Sequence, residues 1–268
     1  MTDFAAPLAF AVLVWWTATA IVMFLDGLPR TTFRWTLLGV SVMQAAALYG
    51  LLQSRDDTSI AGAYLAFTCA VLTWGWQEVF FLTGAITGPR RRACAEGCSG
   101  WSHFGHGVQA ILHHEFSLLV AGIVLVAIGW NAPNQVGMWT YLVLWGMRQS
   151  AKLNLFLGVR NVGVEFLPQH LAYLQSFFRR RHMNALFPLS IAAASALVIM
   201  LGRLTLDPGS EPHETSGYAL LTAIALLGLL EHGLLMLPIP SAVLWQWGLK
   251  SHRRTIVVPQ AAAEGKST

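Results

Sequence analysis

Charge is what this sequence has least of. Only 11% of its 268 residues are Asp, Glu, Lys or Arg, against about 25% in an ordinary soluble domain. That scarcity excludes a disordered chain, a coiled coil and a basic nucleic-acid-binding tail. Cysteine is sparse too: Cys69, Cys94 and Cys98 are the three. Cys69 lies in an apolar run and reads as packing. Cys94 and Cys98, spaced C-x3-C, are by themselves too few for a zinc knuckle, which takes four ligands, and read as structural or incidental. There is no Gly-rich phosphate loop, no dinucleotide fingerprint and no nucleophile elbow. The start of the chain lacks the basic region of a secretory signal, so its first apolar block is expected to stay in the protein.

What the sequence has instead is apolar length. Hydrophobic residues make up 55%, with 11 Trp and 24 Gly, and they come in long blocks. A membrane span needs about 20 mainly apolar residues. Seven blocks qualify, at roughly 7–25, 34–53, 59–84, 105–130, 136–158, 185–206 and 217–237. Lipid leaves backbone polar groups without water, so each is expected to be a helix. Trp15, Trp16, Trp35, Trp101, Trp130, Trp139, Trp245 and Trp247 lie near block ends, where interfacial anchors belong. The expected fold is an all-α, polytopic membrane bundle of about seven transmembrane helices. It forms a single domain over 1–253, followed by a flexible cytoplasmic tail over 254–268.

Basic residues orient the bundle. Arg30 and Arg34, Arg90 to Arg92, Arg160, Arg179 to Arg181, Lys250, Arg253, Arg254 and Lys266 all fall on one side, thirteen of the seventeen Lys and Arg. Acids gather on the other: Asp3, Asp56, Asp57, Asp207, Glu211 and Glu214. The positive-inside rule puts the N-terminus outside and the C-terminus in the cytoplasm. An odd number of spans agrees. Between the fifth and sixth spans, Phe166, Leu167, His170, Leu171, Leu174, Phe177 and Phe178 recur at helical spacing before three arginines. This predicts an amphipathic surface helix over about 165–181, serving as a lipid anchor or a docking element.

Ionisable residues inside spans are costly and face the bundle interior. Glu78 lies in the third span. His106, His113, His114 and Glu115 lie in the fourth, Arg148 and Lys152 in the fifth, and Glu231 and His232 in the seventh. All fall in the cytoplasmic half. At 100° per residue, His103, His106, Ala110, His113, His114 and Ser117 share one face, and Glu115 points elsewhere. Three acids face two bases, so two ion pairs would leave one carboxylate over. Three readings stay open: a polar network holding the bundle, a metal or tetrapyrrole site with an axial imidazole, or a proton or ion path. Glu78, His106, His113, His114, Glu115, Glu231 and His232 are the candidates for binding a pigment or metal, with Arg148 and Lys152 as buried charge partners. No Glu-x-x-His di-iron motif occurs, and the histidines fall short of a hydroxylase's boxes.

Several strings are distinctive. Phe-Leu-Asp-Gly-Leu-Pro-Arg stands at 24–30 and Ala-Gly-Ala-Tyr-Leu-Ala-Phe-Thr at 61–68. Thr-Gly-Pro-Arg follows at 87–90 and Pro-Asn-Gln-Val-Gly at 133–137. Ser-Ala-Lys-Leu-Asn-Leu-Phe-Leu-Gly-Val-Arg-Asn occupies 150–161, Glu-Phe-Leu-Pro-Gln-His-Leu-Ala-Tyr 165–173 and Met-Asn-Ala-Leu-Phe-Pro 183–188, with Glu-His at 231–232. From about residue 10 to 250 the chain resembles the PuhE family of photosynthetic complex assembly proteins in purple phototrophic bacteria. The resemblance implies a bacterial inner membrane, cytoplasmic or intracytoplasmic, so that the outer N-terminus would be periplasmic, and a gene beside that of the reaction-centre H subunit. It implies a role in assembling the reaction centre and core antenna, and in bacteriochlorophyll supply. It carries over no catalytic residue. The partners it implies are reaction-centre or light-harvesting subunits, other assembly factors and membrane lipids, with no nucleic acid. Bacteriochlorophyll or a precursor is the implied cofactor, ahead of iron or zinc. The alternative is a metal-dependent membrane enzyme acting on a tetrapyrrole or lipid, with Glu78, His106, His113, Glu231 and His232 as ligands.

Overall fold

The structure, a computed structural model, describes residues 4–237. The expected tail over 254–268, and Trp245 and Trp247, lie outside the described residues. Among those described, seven α-helices follow one another: α1 (Ala5–Asp26), α2 (Phe33–Ser54), α3 (Ile60–Leu82), α4 (Gly100–Gly129), α5 (Val136–Leu157), α6 (Leu186–Thr205) and α7 (Pro212–Leu234). Each matches an expected span. Two begin earlier than hydropathy suggests. In α7, Pro212 occupies the first turn, and Glu211 and Glu214 form a reciprocal capping box, which satisfies N–H groups that would otherwise lack partners.

Six of the helices, all but α5, are long and apolar enough to cross a membrane. Leu13, Val42 and Leu189 are each 65% exposed and Phe116 is 66%. Such faces recur along α1, α2, α4 and α6, and apolar surface of that extent is what lipid covers. The protein is therefore a multi-pass membrane protein. The seventh helix, α5, has the length of a span at 22 residues. Arg148, Gln149, Lys152 and Asn154 make it more polar than the rest. Composition thus supports six spans, and the seventh rests on the place of α5 among α3, α4 and α7.

Two apolar cores hold these helices. One joins α1, α3, α5, α6 and α7 around Phe67, Leu144, Leu220 and Ile224. The other joins α2 to α5 around Leu51, Cys69, Leu118 and Tyr141, where Cys69 is packing, as expected. Lipid gives helices no hydrophobic reason to associate, so polar pins matter. The Tyr141 hydroxyl donates to the Leu118 carbonyl at 2.9 Å, tying α5 to α4. The Ser117 hydroxyl donates to Gln77 Oε1 at 2.7 Å, and Gln77 Nε2 donates back to the Ser117 carbonyl at 3.3 Å, tying α4 to α3. Asn154 Nδ2 donates to Ser190 Oγ at 2.9 Å, tying α5 to α6.

The segment expected as a surface helix over 165–181 is not one α-helix. It forms two short 3-10 stretches, Val164–Phe166 and Gln169–Phe177. Pro168 stands between them and supplies no N–H to continue a helix. Its apolar residues point inward: Leu171, Leu174 and Phe177 are buried against Phe81 of α3 and Ala110 of α4. His170 reaches the Leu82 carbonyl at 2.8 Å. This segment closes the end of the bundle at which α3 and α5 stop and α4 starts. The connection from α3 to α4 closes it too. Gly88 runs so close to α4 that a Cβ there would stand 2.1 Å from the Gln109 carbonyl oxygen. That approach lets the His114 N–H donate to the Thr87 carbonyl at 2.9 Å.

Candidate functional site

The helices enclose a cavity of about 590 Å³, within the range of small-molecule sites. Its walls are mostly apolar, with Trp15, Trp74, Phe81, Phe156, Phe177 and Ile224 among them. Five ionisable side chains also line it: Glu78 from α3, Glu115 from α4, Arg148 and Lys152 from α5, and Glu231 from α7. These five meet at the cavity, whereas His106, His113, His114 and His232, expected at the same depth, are not among its lining residues.

Arg148 and Lys152 are one turn apart, so both cations leave α5 on one side. They take different partners. Arg148 Nη2 lies 3.2 Å from Glu78 Oε2. Lys152 Nζ lies 2.6 Å from Glu115 Oε1, and Gln149 Nε2 donates to the other Glu115 oxygen at 2.6 Å. Four of the five charges are thereby paired. The fifth, Glu231, has no cation within ion-pair distance among the described residues, and its accessible surface opens into the cavity. Glu78 Oε1 and Arg148 Nε are buried without hydrogen-bond partners. What the cavity offers a ligand is instead the accessible part of the Arg148 side chain, 41% exposed, and the Glu231 carboxyl, both among its lining residues.

The histidines scatter. His113 is exposed on the outer side of α4, whereas His114 is buried. The His114 ring lies 4.4 Å from that of Phe81, and neither of its nitrogens has a hydrogen-bond partner. His232 is buried and engaged at both nitrogens, with Nδ1 2.8 Å from the Gly228 carbonyl and Nε2 3.0 Å from Ser150 Oγ. A carbonyl can only accept, so Nδ1 carries the hydrogen and Nε2 accepts from the serine hydroxyl. No histidine among the described residues lines the cavity. An axial imidazole for a magnesium tetrapyrrole is thus not provided there, although the apolar walls and the charged side chains among them suit a macrocycle's face and edge.

His106 belongs elsewhere. Its Nδ1 lies 3.4 Å from Cys94 Sγ and 3.4 Å from Cys98 Sγ. These are the one group of three metal-capable side chains that come together among the described residues. The ligand set Glu78, His106, His113, Glu231 and His232 does not assemble. Beside its neighbour Cys94, the Cys98 thiol is pushed up from its ordinary value, mainly through the hydrogen bond between the two. Sequence reasoning placed His106 on a membrane face because α4 was expected to begin at 105. The helix begins at Gly100, which puts His106 two turns from its start. Gln149 and Ser150 were also missed, since neutral polar residues in a span carry no signal until their neighbours are known.

Apolar helices around a charged cavity define a multi-pass membrane protein with an internal hollow. The chain belongs to the family described as protein of unknown function (DUF3623), which matches residues 1–256. It is 36% identical over 244 residues to an uncharacterized 30.4 kDa protein in the puhA 5′ region of Rhodobacter capsulatus. That alignment covers 90% of this chain and 89% of the relative. No solved structure matches the chain.

Proposed function

We propose that this protein is an integral membrane factor for assembly of the photosynthetic reaction centre and core antenna, of the PuhE kind. It uses the cavity between α3, α4, α5 and α7 to hold a neutral amphiphile, bacteriochlorophyll or a precursor. The observation that carries this reading is the enclosure itself, a 590 Å³ apolar hollow with charged side chains grouped in its wall. Three carboxylates against two cations disfavour an anionic ligand. A neutral macrocycle bearing carbonyl groups would instead accept from the accessible part of the Arg148 guanidinium, and the Glu231 carboxyl would take a donor. The position of the Rhodobacter capsulatus relative 5′ of puhA and the sequence resemblance support the photosynthetic setting. The arginine-rich end, with Arg90 to Arg92 and Arg179 to Arg181, faces the cytoplasm of a bacterial inner membrane in this reading.

The test is an absorption spectrum and mass analysis of protein purified in mild detergent from pigmented cells. Stoichiometric bacteriochlorophyll or a precursor is expected, with at least half of it lost in Arg148→Met. Protein that carries only phospholipid, from cells whose photosystem content is unchanged when the gene is deleted, would overturn the proposal.

A further inference from the structure

The strongest chemistry outside the cavity sits where the α3–α4 connection meets the start of α4. Cys94, Cys98, His103 and His106 fall in the pattern C-x3-C-x4-H-x2-H. Backbone geometry folds the pattern onto itself. The Cys98 N–H returns to the Ala95 carbonyl at 3.2 Å, and Gly97 and Gly100 adopt φ of +79° and +61°, values that favour glycine. The turn brings both sulfurs against α4. His103 and His106, three residues apart, meet them from one side of the helix.

The distances suit a shared ion. Cys94 Sγ, Cys98 Sγ and a His106 nitrogen all lie within 4.8 Å of one another. The contacts from His106 Nδ1 to both sulfurs are 3.4 Å; His103 Nδ1 lies 3.3 Å from Cys94 Sγ but outside that group of three, so its ring would have to shift to complete the set. In a tetrahedral zinc site, with Zn–S near 2.3 Å and Zn–N near 2.1 Å, a sulfur and a nitrogen ligand stand about 3.6 Å apart. One imidazole nitrogen has one hydrogen or one lone pair. At best it shares that one hydrogen or lone pair between the two sulfurs, whereas a cation between the three would bind them all.

We propose that Cys94, Cys98 and His106 bind a zinc ion, with His103 as the fourth ligand. Two thiolates and two neutral imidazoles balance the ion's charge and select zinc over harder cations. The position is suitable for it. At 30 residues, α4 is about 45 Å long, against roughly 30 Å of hydrocarbon. Its first turns therefore extend past the bilayer core. The ion would staple the α3–α4 connection to α4. His103 already lies 5.4 Å from the ring of Phe156 and 5.6 Å from that of Phe177, both cavity-wall residues. The Cys94 N–H donates to Ser176 Oγ at 2.9 Å. Zinc binding there would fix the cavity's arginine-rich end, and it stands whether or not the cavity takes a pigment.

Full-length protein purified in detergent with zinc in the growth medium should carry one zinc per chain. Cys94→Ser and Cys98→Ser should each abolish it. His103→Ala should weaken it by more than the roughly 10–100-fold that losing an outer-shell partner costs. Replacement by cobalt(II) should give the sulfur-to-cobalt charge-transfer band and the d–d bands of a tetrahedral site. In the wild-type protein, zinc should shield Cys94 and Cys98 from alkylation and chelator should expose them. The last two readouts need no variant, so a misfolded mutant does not decide the matter. Wild-type protein without metal and without cobalt bands would overturn the proposal. So would a Cys94–Cys98 disulfide in metal-free protein, or zinc retained by both serine variants.

Discussion

Lys152 Nζ sits 2.6 Å from Glu115 Oε1, and so the two cations of α5 are divided between neighbours, Lys152 to α4 and Arg148 to α3. The division makes α5 a tie between two helices that pin each other elsewhere through Gln77 and Ser117. Both members of the Lys152–Glu115 pair are largely shielded, at 20% and 25% side-chain exposure. Removing one leaves the other unpaired in a poor solvent for charge.

Glu115→Gln or Lys152→Met alone should each lower stability by about 2 kcal/mol, between the values for exposed and fully buried pairs. The double replacement should recover more than half of the summed loss. Thermal unfolding in detergent, arranged as a double-mutant cycle, measures this. Additive losses would remove the pair from the account of how α4 and α5 stay together.

The two buried histidines should behave oppositely. His232→Leu leaves the part-buried Ser150 hydroxyl without its acceptor and breaks the link between α7 and α5, and should cost about 1–3 kcal/mol. His114→Leu strands nothing, because neither ring nitrogen has a partner, and should stay within about 1.5 kcal/mol of wild type. Membrane abundance and unfolding temperature report both. A large loss of bound pigment in His114→Leu at normal stability would mean that the ring serves a ligand and is not packing alone.

Gly88 and Gly105 make a second contrast. A Cβ at Gly88 would stand 2.1 Å from backbone oxygen and 2.6 Å from the Ala110 carbonyl carbon, whereas one at Gly105 meets nothing within 4 Å. Gly88→Ala should push the α3–α4 connection off α4 and reduce folded protein in the membrane several-fold. Gly105→Ala should raise helix stability by about 0.8–1 kcal/mol. Quantitative blotting of membrane fractions and thermal melts separate the two.

Much of this architecture was legible from hydropathy alone, because a bilayer admits only helices and closed β-barrels, and continuous apolar blocks of about 20 residues fit the helix. The charge count was legible as well, down to one carboxylate without a cation, here Glu231. The pairing was not, since which helix faces which is set by packing. For the same reason His113 and His114 could not be told apart. They are neighbours 100° apart, and the rotation of α4 is fixed by contacts such as Tyr141 to Leu118. The segment after α5 was misread through its period. Leu171, Leu174 and Phe177 recur every three residues, which is the 3-10 repeat, and Pro168 breaks any longer helix. The Cys94–His106 cluster was in plain view as a spacing. It was passed over because α4 was expected to start five residues later than Gly100.

The polarity of α5 has a consequence for how the chain is made. On an isolated helix, Arg or Lys at mid-bilayer costs about 2.5–3.5 kcal/mol to insert, and α5 carries one of each. Glu78 and Glu115, the acids that answer them, lie earlier in the chain. They leave the ribosome first, on helices apolar enough to settle in the membrane without help. When α5 emerges from the translocation channel its counter-charges are already in place, so the order of synthesis matches the order in which the charges can be received.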